Sequence, residues 1–594
     1  MKTYSYTETP SLDQLLIKNP IGQAFSSPMG LALLVSVSAF AVVSFLNGRQ
    51  KKGLLATSYW AKPAHLKAAR VKGCEQIEEQ QHNRVCLFVR TPRGTITKRN
   101  KNKTTIYIPA DSNTLYFPDS NRHHFIFGGP GSGKTYSAIN RLIYSALLQG
   151  MSLFVYDFKY SHQRSTKTKD AKGQAGKIAG FAADLGYEVT VFAPGFPESC
   201  VANPLDFIRR PTDVDMAFEL ATVLNKNFKL NSKDSSDGGF FSNAGNQLSQ
   251  AIFLLAKGSK YPDLMMCQAI LGLTNLVERL KHAYPNLNPW VRASFDQFIG
   301  SSGSEPTAAS IVATASGMFS RFMSPSAMSA MCGKSTIPLD MTKKQLVIFG
   351  MDKERRSSTG PLLASILHLL VTRNVAGVRS TPLGVILDEA NTLYLPSGLD
   401  WLMQERESGL FLILATQSPS MMADAYGKEV GDAMIAGCGH KWFFCPQDDI
   451  ASERFSKMVG TEEISVPQVS KNIGGKGGTS RTLSTNRQTR PLFEASQFNR
   501  LVEGEAVIVS CGIRSPTEAS IPLRRKIRIP NYDKEKEKKS VEAWYYLQKE
   551  MISGSSLREP TDAELLERYL EAERILPLPP PADKATLTEM FKNI

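Results

Sequence analysis

The sequence predicts an α/β fold in which helices cover both faces of a parallel sheet, with an inserted all-α domain and an amino-terminal transmembrane helix. Three observations support the predicted sheet. Short apolar runs alternate with segments of helical periodicity, as is typical of parallel sheets that are buried on both faces. A glycine-rich loop follows one of these runs, and a pair of acidic residues follows a later one.

The glycine-rich loop lies in the segment FIFGGPGSGKT at residues 125–135, which contains the pattern G-x-x-x-x-G-K-[ST] of a phosphate-binding P-loop. Residues 125–127 predict a buried strand before the loop, and residues 136–149 predict a helix after it. In this geometry, backbone N–H groups and the amino terminus of the helix bind phosphate. The predicted ATP-binding residues are Gly128, Gly129, Pro130, Gly131, Ser132, Gly133, Lys134 and Thr135.

The acidic pair supplies what a hydrolysing P-loop protein needs besides the loop, namely a metal ligand and a group that activates water. The apolar run at 383–387 ends in Asp388 and Glu389. We expect Lys134 to reach the β- and γ-phosphates, and Thr135 and Asp388 to hold Mg²⁺. Glu389 is expected to polarise the attacking water. A strand that simply ends in two solvated acids is the alternative.

A glutamine is the third candidate near the phosphates. Gln417 follows Thr416 and the apolar run at 411–415, where its amide can sense the γ-phosphate or orient the water. Polar residues end most strands, so this signal is weak alone. The remaining strands of the sheet are predicted at 153–156, 189–192 and 345–349.

The amino-terminal apolar run is the candidate membrane span. Residues 29–46 carry no charge over 18 positions, which is just long enough to cross a bilayer as a helix. Arg49, Lys51 and Lys52 follow this run, whereas a signal peptide has its positive charge before the apolar region. By the positive-inside rule the bulk of the chain then lies in the cytoplasm. A buried core helix is the alternative.

Composition sets limits on the class of protein. The 594 residues, 42% of them hydrophobic, are enough for large hydrophobic cores. The eight cysteines contain no C-x-x-C pair, which argues against a disulfide scaffold, a structural zinc site or a redox dithiol. Most of the net charge of +15 lies between positions 49 and 103, where fourteen basic residues face three acidic ones. Anionic membrane lipids and nucleic acid are equally suitable partners for this segment.

The segments between these features complete the predicted organisation. Between residues 205 and 338 the pattern changes to helices only. The glycine-rich run at 474–478, followed by Arg481, Arg487 and Arg490, predicts a mobile loop. The acidic segment after Glu559 predicts a solvated helix, with docking of basic protein partners as the alternative. The predicted segments are a short extracytoplasmic amino terminus (1–28), the transmembrane helix (29–46), a basic juxtamembrane segment (47–120), a nucleotide-binding domain (121–204 and 339–530), an all-α insertion (205–338) and a charged, proline-containing tail (531–594).

The order of these motifs resembles the type IV coupling proteins (TraG/TraD-type) of bacterial conjugation and type IV secretion. Phe158 and Tyr160 stand where the family has proline and glycine, and one predicted span replaces the usual two. The matching segments are GPGSGKT at 129–135, VYDFKY at 155–160, NPLDFI at 203–208, VILDEA at 385–390, ATQS at 415–418, SERFSKMVGTEEI at 452–464 and RPLFEASQF at 490–498.

The resemblance implies a RecA/FtsK-like ATPase that assembles as a homo-oligomer, most often a hexamer, at the bacterial inner membrane. Such proteins hand relaxase-bound single-stranded DNA or secreted proteins to the channel of a type IV secretion system. The segment at 404–408 is similar to the family's stretch that faces the neighbouring subunit. Arg406 is therefore the candidate arginine finger, with an ordinary exposed helix arginine as the alternative.

Two other functions are compatible with the same residues. One is a cargo receptor that binds ATP without motor activity, although Glu389 after Asp388 provides the acid that hydrolysis needs. The other is an FtsK-like translocase of duplex DNA, which is disfavoured because the sequence shows neither a long linker nor a carboxy-terminal DNA-reading domain.

Overall fold

The computed structural model of the chain describes residues 58–90, 95–99, 105–109, 113–167, 173–231, 239–321, 323–342, 344–473, 479–555 and 557–580. The predicted transmembrane segment at 29–46 lies outside these residues. Within the described ranges, no helix combines the length and apolar character needed to cross a membrane. The residues at 461–490 belong to one structural unit, and all other described residues belong to a second unit.

The strands are numbered in chain order. They are β1 (Leu87–Val89), β2 (Thr95–Arg99), β3 (Thr105–Pro109), β4 (Leu115–Phe117), β5 (His124–Phe127), β6 (Ser152–Asp157), β7 (Glu188–Phe192), β8 (Gln345–Gly350), β9 (Leu383–Asp388), β10 (Leu410–Thr416), β11 (His440–Phe443), β12 (Thr461–Ile473), β13 (Thr479–Pro491), β14 (Glu505–Ser510) and β15 (Leu523–Lys526).

The helices are numbered in the same way. They are α1 (Pro63–Glu79), α2 (Asn140–Leu148), α3 (Ala175–Asp184), α4 (Val214–Asn231), α5 (Gly239–Lys257), α6 (Leu264–Leu271), α7 (Leu276–Ala283), α8 (Pro289–Ser301), α9 (Glu305–Ser320), α10 (Pro325–Met328), α11 (Arg356–Val375), α12 (Gly398–Met403), α13 (Pro419–Tyr426), α14 (Lys428–Gly437), α15 (Asp449–Val459), α16 (Ala495–Phe498), α17 (Asn531–Gly554) and α18 (Asp562–Ile575).

One sheet of nine strands organises the second unit, in the order β15-β14-β11-β5-β10-β9-β6-β8-β7. The seven strands from β11 to β7 in this order are parallel, as predicted. At the other edge, β14 runs antiparallel to both β11 and β15. The α/β prediction is confirmed, but the sheet is mixed. The connection at 511–522 contains no helix, and strands joined without a crossover pair in antiparallel fashion.

Both faces of this sheet are buried, because successive residues of a strand enter different cores. Phe125 and Phe127 belong to one core, which also contains residues of helices α4 to α11. Ile126, between them, belongs to the other core, with residues of α2 and α3 and with Trp544 of α17. Residues 213–330, between β7 and β8, contain helices and turns in the parts that the structure describes.

The carboxy-terminal helices pack on the rest of this unit. In α17, the Ser540 hydroxyl accepts a hydrogen bond from Phe181 N at 3.0 Å and donates one to Gly176 O at 3.2 Å. In α18, Arg568 forms an ion pair with Asp263 at 2.7 Å. The helix expected after Glu559 is present, and it packs one face on this unit, which a composition rich in acids does not reveal.

The first unit contains a two-stranded ribbon of β12 and β13. Arg487 lies 3.2 Å from Glu463, and Arg490 lies 2.7 Å from Glu462, so ion pairs join the two strands. The sequence predicted a mobile loop across 471–490, whereas the structure places 479–490 in a strand. Four threonines in β13 favour an extended backbone, and cross-strand ion pairs add to its stability.

Candidate nucleotide-binding site

The P-loop follows β5 and is held by the two strands beside it. Gly128 N donates a hydrogen bond to Thr416 O of β10 at 3.3 Å, and Gly129 N donates one to Cys445 O after β11 at 2.8 Å. The loop is therefore anchored at the carboxyl edge of the parallel strands. This edge is where open α/β sheets bind their ligands.

Two glycines of the loop adopt a backbone conformation that other residues rarely adopt. Gly131 has φ +74° and Gly133 has φ +87°. At Gly131 an added Cβ would meet open space, but at Gly133 it would lie 2.8 Å from Gly504 N. Gly504 N also donates a hydrogen bond to Ser132 O at 3.0 Å. The loop is thus supported from outside by the turn that precedes β14.

The helix after the loop begins with a π-helical turn at Thr135–Ile139 and continues as α2. The helix therefore starts at the last residue of the motif, close to the position that the sequence predicted. Its first backbone N–H groups have no partner within the helix, and such an end is suited to bind an anion.

The structure brings the two acids next to the loop. Asp388 ends β9 and pairs in register with Ala415 of β10. The Thr135 hydroxyl donates a hydrogen bond to Asp388 Oδ2 at 2.9 Å. Lys134 Nζ lies 3.0 Å from Glu389 Oε1. The four residues predicted to serve phosphate, magnesium and water are therefore in direct contact in pairs.

Burial determines the electrostatics of the acid pair. Desolvation raises the pKa of Asp388 to about 6, with nearby Lys134 opposing and Glu389 adding to this shift. Asp388 Oδ1 and Ser132 Oγ are buried, and neither has a hydrogen-bond partner among the described residues. A buried carboxylate oxygen and a hydroxyl without partners fit the ligands of a hard cation and a phosphate. Thr135 and Asp388 would hold Mg²⁺ at this position.

The other two predicted site residues, Gln417 and Arg406, lie at opposite ends of the parallel strands. Gln417 is half-buried and follows Thr416, which pairs in register with Phe127 at the start of the P-loop. Arg406 lies in the turn before β10, at the amino edge of the strands. The structure thus places Gln417 at the end of the strands that carries the P-loop, and it places Arg406 at the opposite end of the same strands. Arg406 is in a turn, so the helix arginine expected as the alternative is wrong.

Two contacts of the P-loop were not predicted from the sequence. The side-chain amide of Gln447 donates a hydrogen bond to Pro130 O at 3.2 Å, and the turn at Gly504 contacts Ser132. Both lie after the predicted strands and far from the motif in sequence. Gln447 has a positive φ of +57°, but this backbone angle is visible only in the structure and not in the sequence.

A parallel array with a P-loop at the end of an inner strand and an acid pair on a nearby strand is the arrangement that P-loop proteins use to bind nucleotides. Residues 382–503 match the model of a family described as "TraM recognition site of TraD and TraG". No curated protein is similar in sequence.

Three solved structures share the fold. The bacterial conjugative coupling protein TrwBdeltaN70 in an unbound form is 15% identical, covers 74% of this chain and 93% of its own, and has a TM-score of 0.51. TrwB in complex with ADP and Mg²⁺ is 15% identical, with 75% of this chain and 94% of its own covered and a TM-score of 0.51. TrwB with the ATP analogue ADPNP is 14% identical, with 74% of this chain and 94% of its own covered and a TM-score of 0.51. The family matched at 382–503 agrees with the type IV coupling proteins that the sequence resembles, and the solved structures show a similar fold.

Proposed function

We propose that this chain is an ATPase of the bacterial inner membrane that couples relaxase-bound single-stranded DNA, or secreted proteins, to a type IV secretion channel. The observation that carries the ATPase assignment is the contact of Lys134 and Thr135 with Glu389 and Asp388. The family match at 382–503 and the fold shared with TrwB support the coupling role.

Each residue of the site has one task in this proposal. Lys134 and the loop N–H groups bind the β- and γ-phosphates, where they offset negative charge that develops during transfer. Thr135 and Asp388 would hold Mg²⁺, which would supply positive charge against the phosphate oxygens. Glu389 accepts the proton of the attacking water. Gln417, at the same edge, orients that water.

For assembly and location, the proposal draws on the resembled family. We propose a homohexamer in which Arg406 of one subunit completes the ATP site of its neighbour, because Arg406 lies at the edge opposite its own P-loop. Residues 29–46 anchor the chain in the membrane by a single span. The matched segment at 382–503 offers a surface for a TraM-type partner, in line with the description of that family.

The ATPase assignment is tested with purified full-length protein and three variants. Lys134→Ala should abolish nucleotide binding, because the loop loses the charge that meets the phosphates. Glu389→Gln should bind ATP but not turn it over. The matched control is Glu429→Gln, an exposed glutamate on α14, which should behave as wild type. ATP hydrolysis by Glu389→Gln at the wild-type rate would show that Glu389 is not the base.

The same assay distinguishes the alternative functions. Wild-type protein that binds ATP and never hydrolyses it, with every candidate cargo present, is a receptor and not a motor. The cargo is tested by the ATP turnover of wild-type protein with single-stranded DNA, duplex DNA or no DNA. Stimulation by DNA should fall steeply between two salt concentrations, since each neutralised phosphate releases counterions. Stimulation by duplex DNA alone would favour the FtsK-like translocase.

A further inference from the structure

The carboxy-terminal helix α17 reaches the helix of the P-loop through a buried ion pair. Arg141 of α2 forms an ion pair with Glu537 of α17, and the two side chains are only 2% and 7% exposed. Lys177 of α3 lies 3.9 Å from the same carboxylate. Two residues that are 396 positions apart in the sequence are thus joined close to the candidate site.

The guanidinium of Arg141 also contacts the backbone of the π-helical turn. Arg141 Nε donates a hydrogen bond to Tyr136 O at 3.2 Å, and Tyr136 is the residue after Thr135. The guanidinium lies 5.1 Å from the ring of Tyr136 and 4.9 Å from the ring of Tyr144. Arg141 therefore connects the first turn of the P-loop helix to α17.

The hydrogen bond from Arg141 to Tyr136 O matters because Tyr136 lies within the π-helical turn. Asn140 N bonds to Thr135 O, five residues earlier, so the turn is wider than in an α-helix. Such turns are rare and are frequent at functional sites. A side-chain donor to Tyr136 O stabilises the wide turn, and the turn determines where Thr135 and the preceding Lys134 point.

The charge of Glu537 is needed to keep Arg141 in place. A buried guanidinium without a carboxylate is strongly unfavourable, so loss of Glu537 would drive Arg141 toward solvent or into a new contact. Arg141 Nη1 has no hydrogen-bond partner among the described residues. The carboxylate of Glu537, in direct contact with the guanidinium, compensates this charge.

A second buried contact of α17 reaches the same edge of the sheet. The Tyr160 hydroxyl, three residues after Asp157 at the end of β6, donates a hydrogen bond to Glu198 Oε1 at 2.7 Å. The amide of Gln548 in α17 donates to the same oxygen. Tyr160 stands where the resembled family has glycine, and its hydroxyl gives α17 a contact that glycine cannot provide.

We infer that Arg141 and Glu537 are positioning residues of the nucleotide site, through which α17 holds the first turn of the P-loop helix in the form that binds phosphate. This inference rests on the proposed function only in that the site must bind a nucleotide. Glu537 then supports the nucleotide site from within the segment that was predicted to be a charged, proline-containing tail (531–594).

The test measures the affinity of full-length protein for ADP with Mg²⁺ by calorimetry, beside its free energy of unfolding. Glu537→Gln keeps the volume of the side chain and removes its charge. We expect affinity to fall about tenfold, since the amide can still accept a hydrogen bond from Arg141 but no longer compensates its charge. Ser540→Ala is the matched control. It removes hydrogen bonds of α17 to α3 and should lower stability without changing affinity.

A double variant separates positioning from packing. Arg141→Met with Glu537→Met replaces the ion pair by apolar side chains, which often restores stability. We expect stability near that of wild type and affinity still about tenfold lower, because Tyr136 O has lost its donor. Wild-type affinity in the double variant or in Glu537→Gln would overturn the inference. Failure of wild-type protein itself to bind ADP would instead refute the proposed function.

Discussion

Lys134 Nζ donates a hydrogen bond to Glu389 Oε1 at 3.0 Å, so the expected phosphate ligand is paired with the expected base. Both side chains are nearly buried, with 8% and 9% of their surface exposed. Lys134 also donates to Gly128 O at 3.3 Å. A nucleotide that binds here must compete with Glu389 for the ammonium group, and in the proposed function the released carboxylate accepts a proton from water.

This pairing predicts that Glu389→Gln binds nucleotide more tightly than wild type. Without the carboxylate, Lys134 is a buried charge that lacks its partner, and a phosphate group restores the compensation. We expect the affinity for ADP with Mg²⁺ to rise by up to about tenfold, as measured by calorimetry. Glu389→Asp, which keeps the charge, should stay closer to wild type. An unchanged or weaker affinity in Glu389→Gln would contradict the competition.

The P-loop glycines provide a matched pair of substitutions. Gly133→Ala places a Cβ 2.8 Å from Gly504 N at φ +87°, whereas Gly131→Ala has a similar φ but open space around it. Both should pay the backbone strain of a positive φ, about 1–2 kcal/mol, but only Gly133→Ala must also displace the turn at Gly504. We expect nucleotide affinity to fall much further in Gly133→Ala. Equal losses in the two variants would show that the Gly504 contact is unimportant.

In the nine-stranded sheet, the sequence predicted β5 to β10 and missed β11, β14 and β15. Residues 125–127, 383–387 and 411–415 are apolar because both faces of their strands are buried. In contrast, β11 contains His440 and Lys441. The His440 ring is buried, and its two nitrogens form hydrogen bonds with Ser510 Oγ at 2.8 Å and Asp119 O at 3.1 Å. Partners that distant in sequence give no local signal.

The candidate site was predictable to a similar extent. The P-loop and the acid pair are local motifs, and parallel strands place their ends at one edge. The contacts of Gly504 with the loop and of Glu537 with Arg141 come from segments more than 350 residues away. These contacts depend on how α17 and β14 pack against the rest of the protein. The sequence of a charged helix or of a short strand does not reveal which part of the protein it packs against.

Buried histidines at the amino end of β5 predict loss of stability in acid. Burial lowers the pKa of His123 to about 3, and it lowers that of His124 as well. The unfolded chain, with an ordinary histidine pKa of about 6.5, binds more protons than the folded protein at pH values between these two. Stability is therefore complete above pH 6.5 and falls as the pH decreases toward 3.

The size of the effect follows from linkage. Between pH 7 and pH 5, His123 alone should reduce the free energy of unfolding by about 2 kcal/mol. His123 accepts a hydrogen bond from Leu412 N and contacts Leu402 O. His123→Gln keeps a donor and an acceptor but does not titrate, so its stability should depend less on pH in urea unfolding. Identical pH profiles for the two proteins would show that the pKa of His123 is the same in the folded and unfolded states.

The last prediction concerns Arg406 and the assembly of subunits. Arg406 lies before the first residue of β10, and the seven residues of that strand separate it from the P-loop edge by roughly 20 Å. It therefore cannot reach its own ATP site, but in a ring it can reach the site of a neighbour. Arg406→Ala and Lys134→Ala should each abolish ATP hydrolysis, and Arg558→Ala, an exposed arginine that pairs with Glu564, should not.

Mixing the two inactive proteins decides the matter. In a ring with head-to-tail interfaces, random assembly of equal amounts pairs an intact P-loop with an intact arginine at about one interface in four. We expect mixed rings to recover a measurable part of the wild-type ATPase rate, and the recovery to depend on reassembly of subunits after mixing. If reassembled rings, shown to contain both variants by two different affinity tags, remain without activity, Arg406 does not act on the neighbouring site.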